Sequence, residues 1–241
     1  MRLSLQLYTV RDHMANDFRG TLEKVREIGY EYVEGGGGSQ SAEEWKSTLD
    51  AIGLNVNGFH CPIERLEKDV QGPIKEAKTL GCEFIIVPYL GEDRRGDWAA
   101  FGRQLNGIGQ EIKDAGLQLT YHNHDFEFKD NGLETLYNSS DPSLVQAELD
   151  VAWVAIGGGD PVQWIRHMGS RAPLVHLKDY DPSKTPQWQP AGEGLIDWNG
   201  VLDACKEAGV KFGAVELDLY DGDPLDAARI SYEFFKARGL H

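Results

Sequence analysis

The chain has 241 residues, 41% of them apolar, enough to bury one sizeable core. Twenty-four Lys and Arg against 39 Asp and Glu leave a formal charge of −15 and a pI near 4.8. A field of that sign repels phosphate backbones and anionic lipid, which excludes nucleic-acid and membrane-surface partners, and a 10% aromatic content argues against disorder.

Short apolar runs alternate with longer amphipathic stretches from end to end. In chain order, strands are predicted at Leu3–Tyr8, Tyr30–Glu34, Leu54–His60, Glu83–Val87, Leu117–His122, Gln146–Asp150, Leu174–His176 and Gly213–Glu216. Helices are predicted between and after them at Asp17–Ile28, Ala42–Ile52, Ile63–Leu80, Asp97–Ala115, Pro161–His167, Trp198–Ala208 and Pro224–Arg238. Five of these helices close on a glycine, at Gly29, Gly53, Gly81, Gly116 and Gly209, and a strand follows within a few residues. Glycine there supplies the left-handed C-cap, so the recurring unit is helix, glycine, strand.

Eight strands separated by helices imply an all-parallel sheet with crossover helices, and eight is the number that closes a (β/α)8 TIM barrel of about 250 residues. A doubly wound open sheet is the competing arrangement. Parity favours the barrel: Leu3, Leu5 and Leu7 oppose Ser4, Gln6 and Tyr8, and Leu117, Leu119 and Tyr121 oppose Gln118, Thr120 and His122. One face suits a helical layer and the other a polar interior. No linker or composition break interrupts residues 1–241, which read as one domain.

In such a barrel the reactive groups collect at the carboxyl ends of the strands. The first three strands end near Gln6 and Tyr8, Glu34, and His60. The last four end in Tyr121-His122-Asn123-His124 with Glu127 close behind, in Glu148-Leu149-Asp150, in His176-Leu177-Lys178, and in Glu216-Leu217-Asp218. Carboxylates mixed with imidazoles suit Mn²⁺, Zn²⁺, Co²⁺ or Fe²⁺ better than Ca²⁺. Taken singly, each of these residues has an ordinary structural role open to it, a wall hydrogen bond, a helix cap or an ion pair; their convergence on one rim is what points to a site. The glycine runs Gly35–Gly38 and Gly157–Gly159 match neither phosphate-loop nor dinucleotide spacing and read as flexible loops. Trp153 and Trp164 read as helix packing or as cover for a sugar ring. Cys61, Cys82 and Cys205 lack metal-pair spacing and read as buried thiols. Residues 1–8 lack the apolar stretch of a secretory leader, so a cytoplasmic location is expected.

The segments LQLYTVRD (5–12), YHNHDFEF (121–128), ELDVAWVAIGGGDPVQWI (148–165), PLVHLKD (173–179) and GEGLIDW (192–198) resemble the sugar phosphate isomerase/epimerase group of the xylose-isomerase-like barrel superfamily, and the resemblance covers nearly the whole chain. It implies a divalent metal held by a Glu, Asp, His, Glu set, Mn²⁺ first and Zn²⁺, Co²⁺, Fe²⁺ or Mg²⁺ as alternatives. Asp150, His176 and Glu216 match three of those positions; the first falls on His122 or on Glu127, and Glu127 is preferred because it restores three carboxylates and one imidazole. Glu148 and Glu34 are second-rank candidates. The expected activity is sugar isomerisation or epimerisation by proton abstraction next to a carbonyl. Glu127 and Glu216 would be the bases and His122 a proton carrier. Lys178 would stabilise an oxyanion, or else pair with Glu148 or Asp150. Gln6, His60, His124 and Trp153 would bind the carbohydrate. The alternatives are a metal-dependent lyase or dehydratase acting on a 3-keto-glycoside or keto-inositol, and a non-catalytic sugar-binding barrel. Exposed barrel helices also allow a homo-oligomer.

Overall fold

The computed structural model describes residues 1–36 and 40–241; the expectation of a flexible loop at Gly37 and Gly38 lies outside the described residues. Eight parallel strands close into a barrel in the order β1-β10-β7-β6-β5-β4-β3-β2. They are β1 (Arg2–Gln6), β2 (Tyr32–Glu34), β3 (Asn55–His60), β4 (Phe84–Val87), β5 (Gln118–His122), β6 (Val145–Asp150), β7 (Leu174–Leu177) and β10 (Phe212–Val215). Every predicted strand is present, and closure rules out the open sheet. A small antiparallel pair, β8 (Asp179–Tyr180) with β9 (Trp188–Gln189), lies in the connection after β7.

The outer layer runs α1 (Arg11–Asn16), α2 (Phe18–Ile28), α3 (Ala42–Ile52), α4 (Ile63–Lys68), α5 (Gln71–Leu80), α6 (Trp98–Asp114), α7 (Gly132–Asn138), α8 (Val151–Ile156), α9 (Pro161–Met168), α10 (Trp198–Ala208) and α11 (Pro224–Lys236). The single helix expected over 63–80 is two. Asp69 leaves the helical region at φ −160°, ψ 102°, and its carboxylate accepts the N–H groups of Gln71 and Gly72, restarting the helix as α5. Helix α8 lacks an amphipathic signature because Val151, Ala152 and Val154 are all buried. Asp150 starts it, its Oδ1 accepting from the backbone of Ala152 and Trp153 at 3.0 and 2.9 Å. Among the described residues, no helix is long and apolar enough to cross a membrane.

Side-chain parity sorts two chemistries. The outward Leu3, Leu5, Leu119, Tyr121, Leu149 and Val175 pack under the helices. Inside, at the amino-terminal end, Phe84, Ile86, Leu174 and Phe212 form a separate apolar plug against Tyr32, capped by the Arg2 guanidinium over the Tyr32 and Phe212 rings. A barrel end sealed this way leaves water and ligands only the opposite mouth. Gly58 makes room on that inner wall: a Cβ there would lie 2.4 Å from Ile86 and 3.3 Å from Glu34 Oε2. The three cysteines are buried, and burial pushes each thiol up to about 12, as expected of inert packing groups.

Candidate metal centre

The interior changes from apolar to charged within two residues along the strands. Register brings His122 beside Glu148 and Asp150 beside His176, so neighbouring strand ends present their donors at matched heights. One atom each of His122, Asp150, His176 and Glu216 lies within 4.8 Å of the others, and all four residues are buried. A second group meeting the same limit joins Glu34, His60 and Glu148 to the same His176.

His176 stands between the two groups. Its Nδ1 lies 2.9 Å from Glu216 Oε2 and 3.8 Å from Asp150 Oδ2; its Nε2 lies 2.7 Å from Glu34 Oε1 and 3.3 Å from Glu148 Oε2. An Nε2–H donated to Glu34 fixes the ring and turns Nδ1 toward Asp150 and Glu216, the carboxylate–imidazole support common behind metal ligands. Glu34 is itself oriented, accepting from Gln6 Nε2 at 3.0 Å and Asn57 Nδ2 at 2.6 Å. Lys178, buried at 1% exposure, sits 2.8 Å from Glu216, 2.9 Å from Asp218 and 3.3 Å from Asp150.

Electrostatics follow from this crowding. Burial lowers the His176 imidazole, but Glu148, Glu216 and Glu34 outweigh it and hold the ring protonated well above its ordinary range. The same contest, with burial opposed by Glu148 and Glu34, lifts His60 to about 9. Burial would raise Glu216, yet Lys178 and His176 keep it ionised. Burial dominates at Asp150, raised to about 6, and at His124, lowered to about 3. His122 is driven well below its usual value by burial and then by His176, so both rim imidazoles after β5 are neutral.

A divalent ion fits these residues. His122 Nδ1, Asp150 Oδ2 and both oxygens of Glu148 are buried without a hydrogen-bond partner among the described residues. Carboxylates crowded together in the interior are costly to bury without positive charge; Lys178 Nζ, 3.3 Å from Asp150 Oδ2, and His176 Nε2, 3.3 Å from Glu148 Oε2, supply part of it, and a divalent cation would supply more. Mixed N and O donors are those of Zn²⁺, Mn²⁺, Co²⁺ and Fe²⁺ sites.

Glu127 is not brought to this cluster. It follows β5 in a 3₁₀ turn, fully buried, where Oε1 accepts from Tyr121 Oη at 2.6 Å and Oε2 from the His124 N–H at 2.9 Å. Tyr121 is an outward residue of β5, so the preferred first ligand is tied to the barrel's outer layer. The fourth member of that candidate group is His122, the other residue expected at the first position. The second-rank Glu34 and Glu148 are fully buried beside His176. Lys178 pairs with Asp150, as one of its two readings held, and also with Glu216 and Asp218. Gln6, His60 and His124 line the cavity of about 460 Å³ above the cluster, with His122, His176, Lys178 and Glu216. Trp153 lies beside it, 5.3 Å from the His124 ring and 5.4 Å from Lys178 Nζ. Asp218 and Trp188 belong to the Lys178 environment and were absent from the expected set. Asp218 was within reach of strand parity, two residues beyond Glu216; Trp188 comes from the β8–β9 excursion and had no local signal. Gly157 and Gly159 pack against Phe128, where Cβ atoms would approach to 2.6 and 2.8 Å, and Trp164 meets the same ring.

The sequence profile of the xylose isomerase-like TIM barrel matches residues 22–238. The chain belongs to that family. Among curated proteins it is similar to an inosose dehydratase of Geobacillus kaustophilus, 25% identical over 196 residues, 70% of this chain and 63% of the relative. The chain thus spans less than two thirds of that relative, and about half (47%) of the inosose dehydratase of Lacticaseibacillus casei. Its fold is that of a sugar phosphate isomerase/epimerase from Parabacteroides distasonis, with TM-score 0.84, 23% identity, and coverage of 98% of this chain and 93% of the other. It is also that of the IolI protein solved with a bound zinc atom, with TM-score 0.77, 15% identity, and coverage of 98% and 97%.

Proposed function

We propose that this barrel is a divalent-metal-dependent enzyme that removes a proton next to the carbonyl of a keto-sugar or keto-inositol and expels an oxygen leaving group from the adjacent carbon. The observation that carries this reading is the pairing of the ionised Glu216 with the buried ammonium of Lys178, 2.8 Å apart, at the edge of the bare donor set. His122, Asp150, His176 and Glu216 would hold the ion, with Mn²⁺ and Zn²⁺ the first to try. When bound, it supplies Lewis-acid stabilisation of negative charge developing on a carbonyl oxygen, worth several kcal/mol.

The protein's own groups supply the proton transfers. The Glu216 carboxylate accepts the carbon-bound proton, and the Lys178 ammonium delivers one to the departing oxygen. His122 and His124 are neutral and offer the substrate hydroxyls a donor and an acceptor without adding charge. His60 and Gln6, 3.0 Å apart, bracket the other side of the cavity. Elimination needs a base and an acid that serve different atoms, which a carboxylate–ammonium pair on one wall satisfies. Epimerisation needs the carbon reprotonated from the opposite face, where the protonated His60 is the candidate donor, so the preference for elimination rests on the Glu216–Lys178 pair. The inosose dehydratase names among the relatives support the same choice. Isomerisation or epimerisation is the second reading, favoured by the name of the Parabacteroides structure and sharing the first proton abstraction.

Incubation with Mn²⁺ in D₂O, with 2-keto-myo-inositol and a panel of 3-keto-glucosides followed by NMR, separates the outcomes. Loss of water or of the aglycone is expected. Deuterium uptake without release would transfer the assignment to isomerisation or epimerisation, and neither exchange nor release would overturn both. In Asp150→Ala and His176→Ala, metal retention measured by elemental analysis falls together with activity. A wild-type protein that retains no metal and binds sugar as well as these variants would instead be a non-catalytic binder.

A further inference from the structure

We propose that the substrate carries an apolar, aromatic-sized substituent beside its keto-polyol ring, seated in a second cavity that opens from the metal-bearing one. The inference rests on the keto-polyol reading above and extends it to substrate class: a glycoside with an apolar aglycone, not a free or phosphorylated monosaccharide.

The second cavity has a volume of about 450 Å³, close to the 460 Å³ above the metal donors. The two share Gln6, Tyr8 and His60, so the strand end of β1 and the tip of β3 form the passage between them. Their side chains differ. The first is faced with imidazoles, Lys178 and carboxylates; the second sets Leu7, Met14, Phe18 and Trp45 beside Arg11, Gln40 and the shared Gln6, Tyr8 and His60. Four large apolar side chains on one wall give an apolar substituent a surface that the first chamber lacks. Each chamber falls within the range of a small-molecule pocket, about 300–1,000 Å³, so one sugar ring does not account for both.

The rings of the wall point to an aromatic occupant. Phe18 and Trp45 meet at 5.2 Å with planes tilted by 58°, a pair that a third ring can join. Trp45 is only 6% exposed, so its ring is a fixed part of that wall. At the passage, Tyr8 is 51% exposed, an aromatic ring held open with the Arg11 guanidinium 4.1 Å from its centroid. Among the described residues Arg11 is the one cation lining this cavity, and it already donates to the Tyr8 carbonyl at 2.8 Å, so the chamber is poorly equipped to bind a phosphate.

The test compares unreactive probes by calorimetry on the metal-loaded protein: phenyl β-D-glucopyranoside against methyl β-D-glucopyranoside. The phenyl glucoside is expected to bind at least about tenfold more tightly, the discrimination an apolar pocket achieves. Met14→Asp, which places a charge at a half-exposed position, and Trp45→Phe, which keeps one aromatic ring but removes the outer ring of the indole, should each erode that preference and leave the methyl glucoside unchanged. Equal affinities in the wild type, or no binding of the phenyl glucoside, would overturn the proposal. Turnover of the corresponding 3-keto-glucosides separates this inference from the one it rests on. Exchange or release on both without a phenyl preference in KM sinks the second chamber and keeps the chemistry. A phenyl preference in binding without exchange or release on either keeps the chamber and sinks the chemistry.

Discussion

Glu127 is a carboxylate whose surroundings, not its distance along the chain from the other donors, set its role. With Oε1 on the Tyr121 hydroxyl and Oε2 on the His124 N–H, it braces the turn that follows β5. Burial raises it from an ordinary 4.5 to about 7, against the lowering effect of the Tyr121 hydrogen bond. A carboxyl raised on folding binds its proton more tightly in the native state, so its contribution to stability is complete below about pH 4.5 and is lost as pH rises through 7. That loss is on the order of 3 kcal/mol. Glu127→Gln resembles the protonated form at every pH. Relative to wild type it should gain stability steadily from pH 5 to pH 8, measured by urea unfolding of both metal-free proteins, while its metal content matches wild type. Parallel stability–pH curves, or loss of metal from the variant, would refute this account of the residue.

Between elements, the longest connection is organised by one side chain. Asp179, 1% exposed, follows the strand that carries His176 and accepts from the backbone N–H groups of Tyr180, Gly192, Gly194 and Ile196 and from Trp198 Nε1, at 2.8–3.2 Å. It thereby ties β8, the return segment after β9 and the first turn of α10 to the end of β7, and the same segment carries Trp188 to within 4.9 Å of Lys178 Nζ. Asp179→Ala leaves these donors buried and unmatched, at a cost of about 3 kcal/mol or more. Denaturant unfolding should register that loss, and trypsin should cut after Lys184 much faster than in wild type. An unchanged midpoint together with unchanged cleavage would mean that the segment is held by other contacts.

For the whole molecule, one barrel end is an apolar plug and the other a dense group of charges, and the two ends make opposite contributions to stability. Glu34, Glu148, Asp150 and Glu216 are each buried beside at least one other carboxylate, compensated by Lys178 and by protons on His176 and His60. On the proposed function, a divalent ion would take over that compensation and would bind the native state alone. At one hundred times its dissociation constant it should add about 2.7 kcal/mol. For a chain of this size that is a rise in Tm of roughly 5–10 °C. Thermal unfolding with Mn²⁺ or Zn²⁺, then with EDTA, measures the shift and its reversal. A Tm indifferent to both would argue that the bare donors are a purely proteinaceous network.

The alternation of strands and helices, the eightfold count and the inward parity of Gln6, His122, His176 and Lys178 were all readable in the sequence, because hydrophobic period and glycine caps act over neighbouring residues only. The same locality carried Asp150 and Glu216 to the site, since each ends or follows a strand in phase with its inward face. Past a strand end that phase is lost. Nothing local says whether the side chain three residues beyond His124 turns to the other donors or to Tyr121, and in the structure Glu127 turns to Tyr121. Nor does a single strand say which of its neighbours' carboxylates reach the shared imidazole. Glu34 and Glu148 meet at His176 because the barrel closes with β2 and β6 across its interior from one another and at a matching height. Strand pattern determined which faces could carry chemistry; closure and register, which join residues 142 positions apart at 2.7 Å, decided which groups meet there.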